Sequence, residues 1–141
     1  NKMEKVLLFR VPDAEASAIA DMLAAMKVRC ERIPESAFRQ TIGALASGKI
    51  SRLDGKTITD AQSAGSKQEA VPDHRNAPAE SLMVFCDVSE KHFNRALALL
   101  RERAVRIDYK AVLTPTNREW NVLRLYAELA REKAEYERMK G

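Results

Sequence analysis

Leu82-Met83-Val84-Phe85-Cys86-Asp87-Val88-Ser89 is an apolar run closed by a polar turn, and it lies over Val6-Leu7-Leu8-Phe9-Arg10-Val11-Pro12-Asp13 earlier in the same chain. In that overlay Phe85 matches Phe9 and Ser89 matches Asp13. Each apolar run is short, rich in Val, Leu and Phe, and bounded by turn residues, the pattern of a strand buried on both faces. Proline cannot continue a strand ladder, and Asp and Ser have side-chain oxygens that accept from the first free amides of a helix. Strand, stop and helix cap are therefore expected twice, with Asp13 and Ser89 as the caps.

The segments after the two runs also repeat. Ile19, Ala20, Leu23 and Met26 form one stripe at helical spacing, and Phe93, Ala96, Leu97, Leu100 and Ala104 form another. An alternating strand comes next in each half. In Lys27 to Ile33, Val28, Cys30 and Ile33 read as inward and Arg29 and Glu31 as outward; in Ala104 to Lys110, Val105 and Ile107 are inward and Arg106 and Asp108 outward. A further helix closes each half. The first spans Glu35 to Ala46, with Phe38, Ile42 and Leu45 in its stripe and Gly43 as a weak point. The second runs from about Asn117 to Arg138, with Val122, Leu123, Tyr126, Leu129 and Ala130 apolar. The chain reads as a single domain, residues 1–141, with an internal duplication: a first βαβα unit over 4–46, a linker or insert over 47–80, and a second unit over 81–138.

Two βαβ units joined by a long connection fold most simply as an α+β protein with a four-stranded antiparallel sheet of ferredoxin-like type. The first strand of each unit takes the centre and the charged strands take the edges, where outward Arg, Glu, Asp and Lys discourage pairing with other chains. A small parallel α/β sheet with helices on both faces is the alternative. The overlay puts Leu7, Phe9, Met83 and Phe85 on one face and Val6, Leu8, Leu82 and Val84 on the other. Both faces are then apolar, and a ferredoxin-like sheet has helices on only one. The second needs a cover, either the extra helices at 35–46 and 117–138 or a two-fold partner, which points to a homodimer.

Lys110-Ala111-Val112-Leu113-Thr114-Pro115-Thr116-Asn117, with Trp120 three places on and a Glu-rich helix behind it, resembles the signature of an uncharacterised bacterial family, domain of unknown function 3783, over about residues 81–133. That family brings no established activity, cofactor or catalytic residues. The resemblance narrows the fold and leaves the function open.

Composition bounds the class. A hydrophobic fraction of 45% and a charged fraction of 31% are those of an ordinary globular protein. No apolar run approaches the roughly 18 residues of a membrane span and no basic-then-apolar secretory pattern opens the chain, so a cytoplasmic protein without membrane contact is expected. Cys30 and Cys86 are too few and too far apart for a disulfide framework or a zinc motif, and each sits in a strand-like run as a small core residue. The net charge of +4 is spread as one excess positive charge in 1–46, none in 47–80 and three in 81–141. Most Arg and Lys have an acidic neighbour, which argues against nucleic acid as the partner.

No cluster supplies a nucleophile, a base or a metal ligand set, so no catalytic residues, metal or cofactor are expected. His74 lies in the linker and His92 in a helix first turn, without paired carboxylates. Neither strand is followed by a glycine-rich phosphate loop. Two binding candidates remain. Thr114, Thr116, Asn117 and Trp120 at the start of the last helix offer hydroxyls and free amides for an anion. Arg10, Arg29, Arg106 and Lys110 offer a basic face. The expected role is a non-enzymatic small-ligand-binding, regulatory or protein-interaction module with an unidentified protein or small-molecule partner. Binding of RNA or another single strand, through aromatic side chains on an open sheet face, is one alternative. An enzyme whose site is assembled from distant residues is the other.

Overall fold

The computed structural model describes residues 3–47 and 78–140. The expected linker, with its anchors Ile50, Leu53 and Ile58 and with His74, lies outside the described residues apart from its ends. Four strands and four α-helices are described: β1 (Lys5–Phe9), α1 (Asp13–Ala25), β2 (Arg29–Ile33), α2 (Ile42–Ser47), β3 (Leu82–Cys86), α3 (Glu90–Glu102), β4 (Tyr109–Val112) and α4 (Val122–Lys140). Short 3-10 turns at Glu35–Ala37 and Asn117–Glu119 precede α2 and α4. They divide into two compact units. One takes the described residues up to Phe38 with Glu80–Pro115; the other takes those from Arg39 to Ser47, residues 78–79, and those from Thr116 onward.

The first unit holds the whole sheet, in the order β2-β1-β3-β4. The apolar strands β1 and β3 are at its centre and the charged strands β2 and β4 at its edges, as expected. The expected antiparallel ferredoxin-like pairing is not what forms. β1 pairs with β2 in parallel, β3 pairs with β4 in parallel, and only the central β1–β3 pair is antiparallel. In a ferredoxin-like sheet each helix carries the chain past one strand before it pairs; here α1 and α3 each return it to the strand it came from. Arg29 N–H donates to Glu4 C=O at 3.0 Å and Tyr109 N–H to Ser81 C=O at 2.9 Å as the two edge strands begin. The wholly parallel alternative fails at the centre. The sheet is mixed.

The face assignment also changes. In the antiparallel register Val6 opposes Phe85 and Leu8 opposes Met83, while Leu7 opposes Val84 and Phe9 opposes Leu82. Directly opposed residues share a face. Val6, Leu8, Met83 and Phe85 therefore form one face, which α1 covers with Ala16, Ile19, Met22 and Leu23 and α3 with Ala96, Leu99 and Leu100. Phe85 meets Phe93 of α3 edge-on at 4.8 Å. Leu7, Phe9, Leu82 and Val84 lie on the other face and are fully buried within the chain, with Phe9 edge-on to Phe38 at 5.7 Å. The overlay was one residue out. Each central strand ends in a left-handed residue, Arg10 (φ 59°) and Asp87 (φ 58°), and each helix in another, Lys27 (φ 62°) and Ala104 (φ 53°), so both pairs stand 77 residues apart. Cys86, not Phe85, holds the place of Phe9, and a slip of one residue moves every side chain of a strand to the opposite face.

The helix ends obey backbone accounting. After α1, Lys27 N–H donates to Ala24 C=O and Val28 N–H to Leu23 C=O, both at 2.9 Å; after α3, Ala104 donates to Arg101 at 3.1 Å and Val105 to Leu100 at 2.9 Å. These paired bonds satisfy the last carbonyls and require the left-handed residue between them. At the other end, Ser89 caps α3 as expected by accepting from His92 N–H at 3.2 Å. Asp13 does not cap α1. Pro12 takes that place without a side-chain bond, and Asp13 in the first turn pairs with Arg32. The expected strand Ala104 to Lys110 begins late, at Tyr109, because Ser81 and Asp108 lock the entry. Asp108 Oδ2 accepts from the Ser81 N–H and hydroxyl at 2.9 and 3.2 Å, and Ser81 Oγ accepts from Asp108 N–H at 2.9 Å. Val105 and Ile107 still pack into the helix-covered core from the loop.

The two expected helices are interrupted, and of the first only the restarted part, α2, belongs to the second unit. Each starts as a 3-10 turn, opens, and restarts behind a new cap: Ala44 N–H donates to Thr41 Oγ1 at 3.1 Å and Arg124 N–H to Asn121 Oδ1 at 2.8 Å. The two cap residues form an antiparallel bridge, and Ile42 N–H donates to Trp120 C=O at 2.9 Å. From Ala130 to Met139, α4 is exposed on all sides. No helix of the described residues is long and apolar enough to cross a membrane.

Candidate functional site: a cleft at the carboxyl ends of β1 and β2

β1 and β2 are neighbouring parallel strands joined directly by α1. Beyond their ends is a cleft of about 190 Å³, lined by Leu8, Arg10, Val11, Arg32, Ile33, Glu35 and Phe38. Arg10 enters it from the left-handed residue that turns the chain from β1 toward α1. Its guanidinium carbon is 5.8 Å from the centroid of the Phe38 ring, and its Nη2 is 3.2 Å from Glu35 Oε2. Arg32 comes from β2. Its Nη2 donates to Val11 C=O at 3.0 Å and its Nη1 pairs with Asp13 Oδ1 at 2.8 Å.

Two guanidinium groups thus line the cleft, each paired with one carboxylate, with Leu8, Val11, Ile33 and Phe38 buried behind them. A guanidinium keeps its charge at any ordinary pH and offers a planar fork of donors that matches carboxylate or phosphate. The acidic partners sit near the surface, where an ion pair contributes about 0–1 kcal/mol. Both guanidinium charges are balanced in the structure by a carboxylate, Glu35 for Arg10 and Asp13 for Arg32.

A second cluster joins Glu4, Ser89 and His92, whose residue types are those of a catalytic triad. Glu4 Oε1 and Oε2 lie 2.8 and 3.0 Å from His92 Nδ1, and Glu4 Oε2 accepts from Ser89 N–H at 2.7 Å. The Ser89 hydroxyl accepts from the backbone N–H of His92, away from its ring. The cluster ties the residue before β1 to the start of α3. The Ser89 N–H first, and His92 after it, hold the Glu4 carboxyl below the usual carboxylate range. Cys86 is buried and Cys30 half-buried, and burial pushes the Cys30 thiol up to about 11, far from a reactive thiolate. Among the described residues no group of three or more His, Cys, Asp or Glu is placed to hold a metal ion.

The anion candidates from the sequence fall in different places. Thr114, in the first unit, is exposed on the segment after β4. In the second unit Thr116 is exposed, Asn117 is buried at the start of the three-residue 3-10 turn, and Trp120 is half-buried with the Arg124 guanidinium 4.6 Å from its ring centroid. The helix start on which that expectation rested lies further on, at Val122 behind Asn121. The basic candidates are all exposed in the first unit and are not brought together. Arg29 and Lys110 are on opposite edges of the sheet and, by register, on opposite faces, Arg106 is in the loop before β4, and only Arg10 lines the cleft. Arg32 and Glu35 were missed. Arg32 continues the charged run of Arg29 and Glu31, and no local signal marks it as a neighbour of Arg10.

Residues 81–136 match the model of the family described as Domain of unknown function (DUF3783). No curated protein and no solved structure matches the chain. The family match spans β3 to most of α4 and so includes Thr114 to Trp120, while every residue lining the cleft lies outside it.

Proposed function

We propose that this chain is a non-enzymatic, regulatory binding module whose ligand is a small anion held by Arg10 and Arg32 in the cleft beyond β1 and β2. One observation carries the reading: two arginines from different elements line one cleft at the carboxyl ends of a parallel strand pair. The test is thermal shift and titration calorimetry at low salt against carboxylates, inorganic phosphate, nucleotides and short RNAs. A ligand at a hundred times its dissociation constant adds about 2.7 kcal/mol, which raises the melting temperature by several degrees. Arg10→Ala and Arg32→Ala should each abolish most of that shift. No shift with any anion, or a shift that survives both substitutions, refutes the reading.

A second observation favours a partner contact as well. The last turns of α4 expose Tyr136 at 65% and Met139 at 79%, a small apolar anchor of the kind used at interfaces. The homodimer was expected through an open second sheet face, which is buried within the chain. We propose instead that a second copy of the chain uses this helix; light scattering of the chain and of a Tyr136→Glu variant reads it, and an unchanged monomer mass at high concentration refutes the dimer. The spread of Arg29, Arg106 and Lys110 gives the nucleic-acid alternative no support. Internal duplication is supported by the 77-residue spacing of the left-handed positions and by the 13 residues of both α1 and α3. The cytoplasmic setting expected from the composition goes with this reading.

A further inference from the structure

We infer that the ligand of this cleft is a compact carboxylate, and that Glu35 is a built-in competitor for its acidic group on Arg10. The inference rests on the anion-binding reading and deepens it. Glu35 and Arg10 both line the cleft, with Glu35 Oε2 3.2 Å from Arg10 Nη2. The carboxylate of Glu35 therefore occupies on that guanidinium a position that a ligand carboxylate would take. Glu35 is aimed there by a short rigid turn. Pro34 precedes it, Ala37 N–H donates to Pro34 C=O at 2.9 Å and Phe38 N–H to Glu35 C=O at 3.0 Å. The same turn delivers the buried Phe38 ring to the cleft beside Arg10.

Size and lining set the rest of the ligand. A cleft of about 190 Å³ has the volume of about six waters and falls below the roughly 300 Å³ at which pockets for drug-sized ligands begin. A nucleotide does not fit inside it. A carboxylate on a short chain or a single ring does; Leu8, Val11, Ile33 and Phe38 are buried behind a lining whose exposed surface is mainly polar. On binding, the ligand's carboxylate takes the Arg10 fork and the Glu35 carboxylate returns to water; no bond is made or broken. Glu35 thereby sets the affinity, and ligands that cannot displace it are rejected.

The experiment uses the full chain and two probes, isovalerate and benzoate, in calorimetric or NMR titrations, with inorganic phosphate and AMP alongside. Glu35→Gln removes the competitor and should tighten both carboxylates about two- to fivefold, the span set by a surface ion pair of up to about 1 kcal/mol. Glu35→Asp keeps the charge but shortens the reach, and should tighten them by a smaller factor. Glu31→Gln removes an equal charge from a residue paired with Lys5 at 3.2 Å and should leave both affinities within error. Equal tightening by Glu31→Gln, or none by Glu35→Gln and Glu35→Asp, overturns the competitor role while Arg10-dependent binding leaves the anion reading intact. Tighter binding of phosphate or AMP than of either carboxylate overturns the ligand class alone. No binding of any probe to the native chain or to Glu35→Gln overturns both readings together.

Discussion

Gly43 lies in the first turn of α2, where ordinary helix propensity and the tertiary contact predict opposite signs for the same substitution. Glycine in a helix costs about 0.5–1 kcal/mol relative to alanine, so Gly43→Ala judged by propensity stabilises the protein by up to that amount. A Cβ built at Gly43, however, comes within 2.9 Å of the Arg118 carbonyl oxygen, with Arg118 Nε and Cβ at 3.3 and 3.4 Å. The nearest atom is backbone and cannot swing aside. It also belongs to the 3-10 turn Asn117–Glu119, next to the segment whose Trp120 C=O accepts from Ile42 N–H at 2.9 Å. Overpacking of this kind costs about 1–3 kcal/mol. The contact outweighs the propensity gain, and Gly43→Ala should destabilise by about 1–2 kcal/mol net, a fall of about 3–6 °C for a chain of this length. Calorimetric or circular-dichroism melts read it directly. Arg118→Ala on the Gly43→Ala background should recover little, since the carbonyl stays in place. A Gly43→Ala melt equal to or above that of the native chain would refute the close approach of α2 and the 3-10 turn.

The helix ends carry three further predictions. Ala104 is left-handed with φ 53°, a conformation that costs a residue with a Cβ about 1–2 kcal/mol and glycine little. Ala104→Gly should therefore raise stability by about 0.5–1 kcal/mol in denaturant titration, after the glycine's own unfolded-state entropy is subtracted, and a loss of stability would sink the assignment. Asn121→Ala removes the cap of α4 and should cost about 1 kcal/mol, whereas Thr116→Ala, five residues earlier, should stay within about 0.5 kcal/mol; the reverse ranking would return the helix start to Thr116. The Glu4 carboxyl is held below its usual range by Ser89 N–H and then His92. A depressed acid stabilises above its unfolded-state pKa and loses that contribution as pH falls through the folded value. The native chain should thus lose more stability below about pH 4.5 than Glu4→Gln, and parallel pH profiles of the two would show that the contacts to Ser89 and His92 contribute nothing.

Much of this architecture is written locally. Apolar runs of five residues between turn signals make β1 and β3, stripes at 3.6-residue spacing make α1 and α3, and charged alternation marks β2 as an edge; none of these depends on a distant residue. Ser89 was legible as a cap for the same reason. The departures occur where two elements must agree on an alignment. Phe9 and Phe85 look equivalent as letters, yet Arg10 and Asp87 are the equivalent residues in the backbone, and pairing of β1 with β3 converts that one-residue difference into opposite faces. Breaks at Thr41 and Asn121 are invisible in two continuous apolar stripes, because what restarts each helix is a bridge between the two caps, 80 residues apart.

The candidate site divides in the same way. Arg10 was legible as a basic residue within the first strand-like run, but its neighbours were not: Arg32 is 22 residues away and Glu35 is 25. Glu4 reaches His92 across 88 residues. The amino-acid sequence by itself determined which segments are strands and helices, which strands are central, and that positive charge is thinly spread, since burial preference and backbone propensity act over a few neighbouring residues. Tertiary structure alone decided the parallel pairing at the edges, the sheet faces, the helix restarts and the meeting of Arg10, Arg32 and Glu35 in one cleft. Those depend on strand register and loop closure, whose energies are set by contacts between residues far apart in the chain.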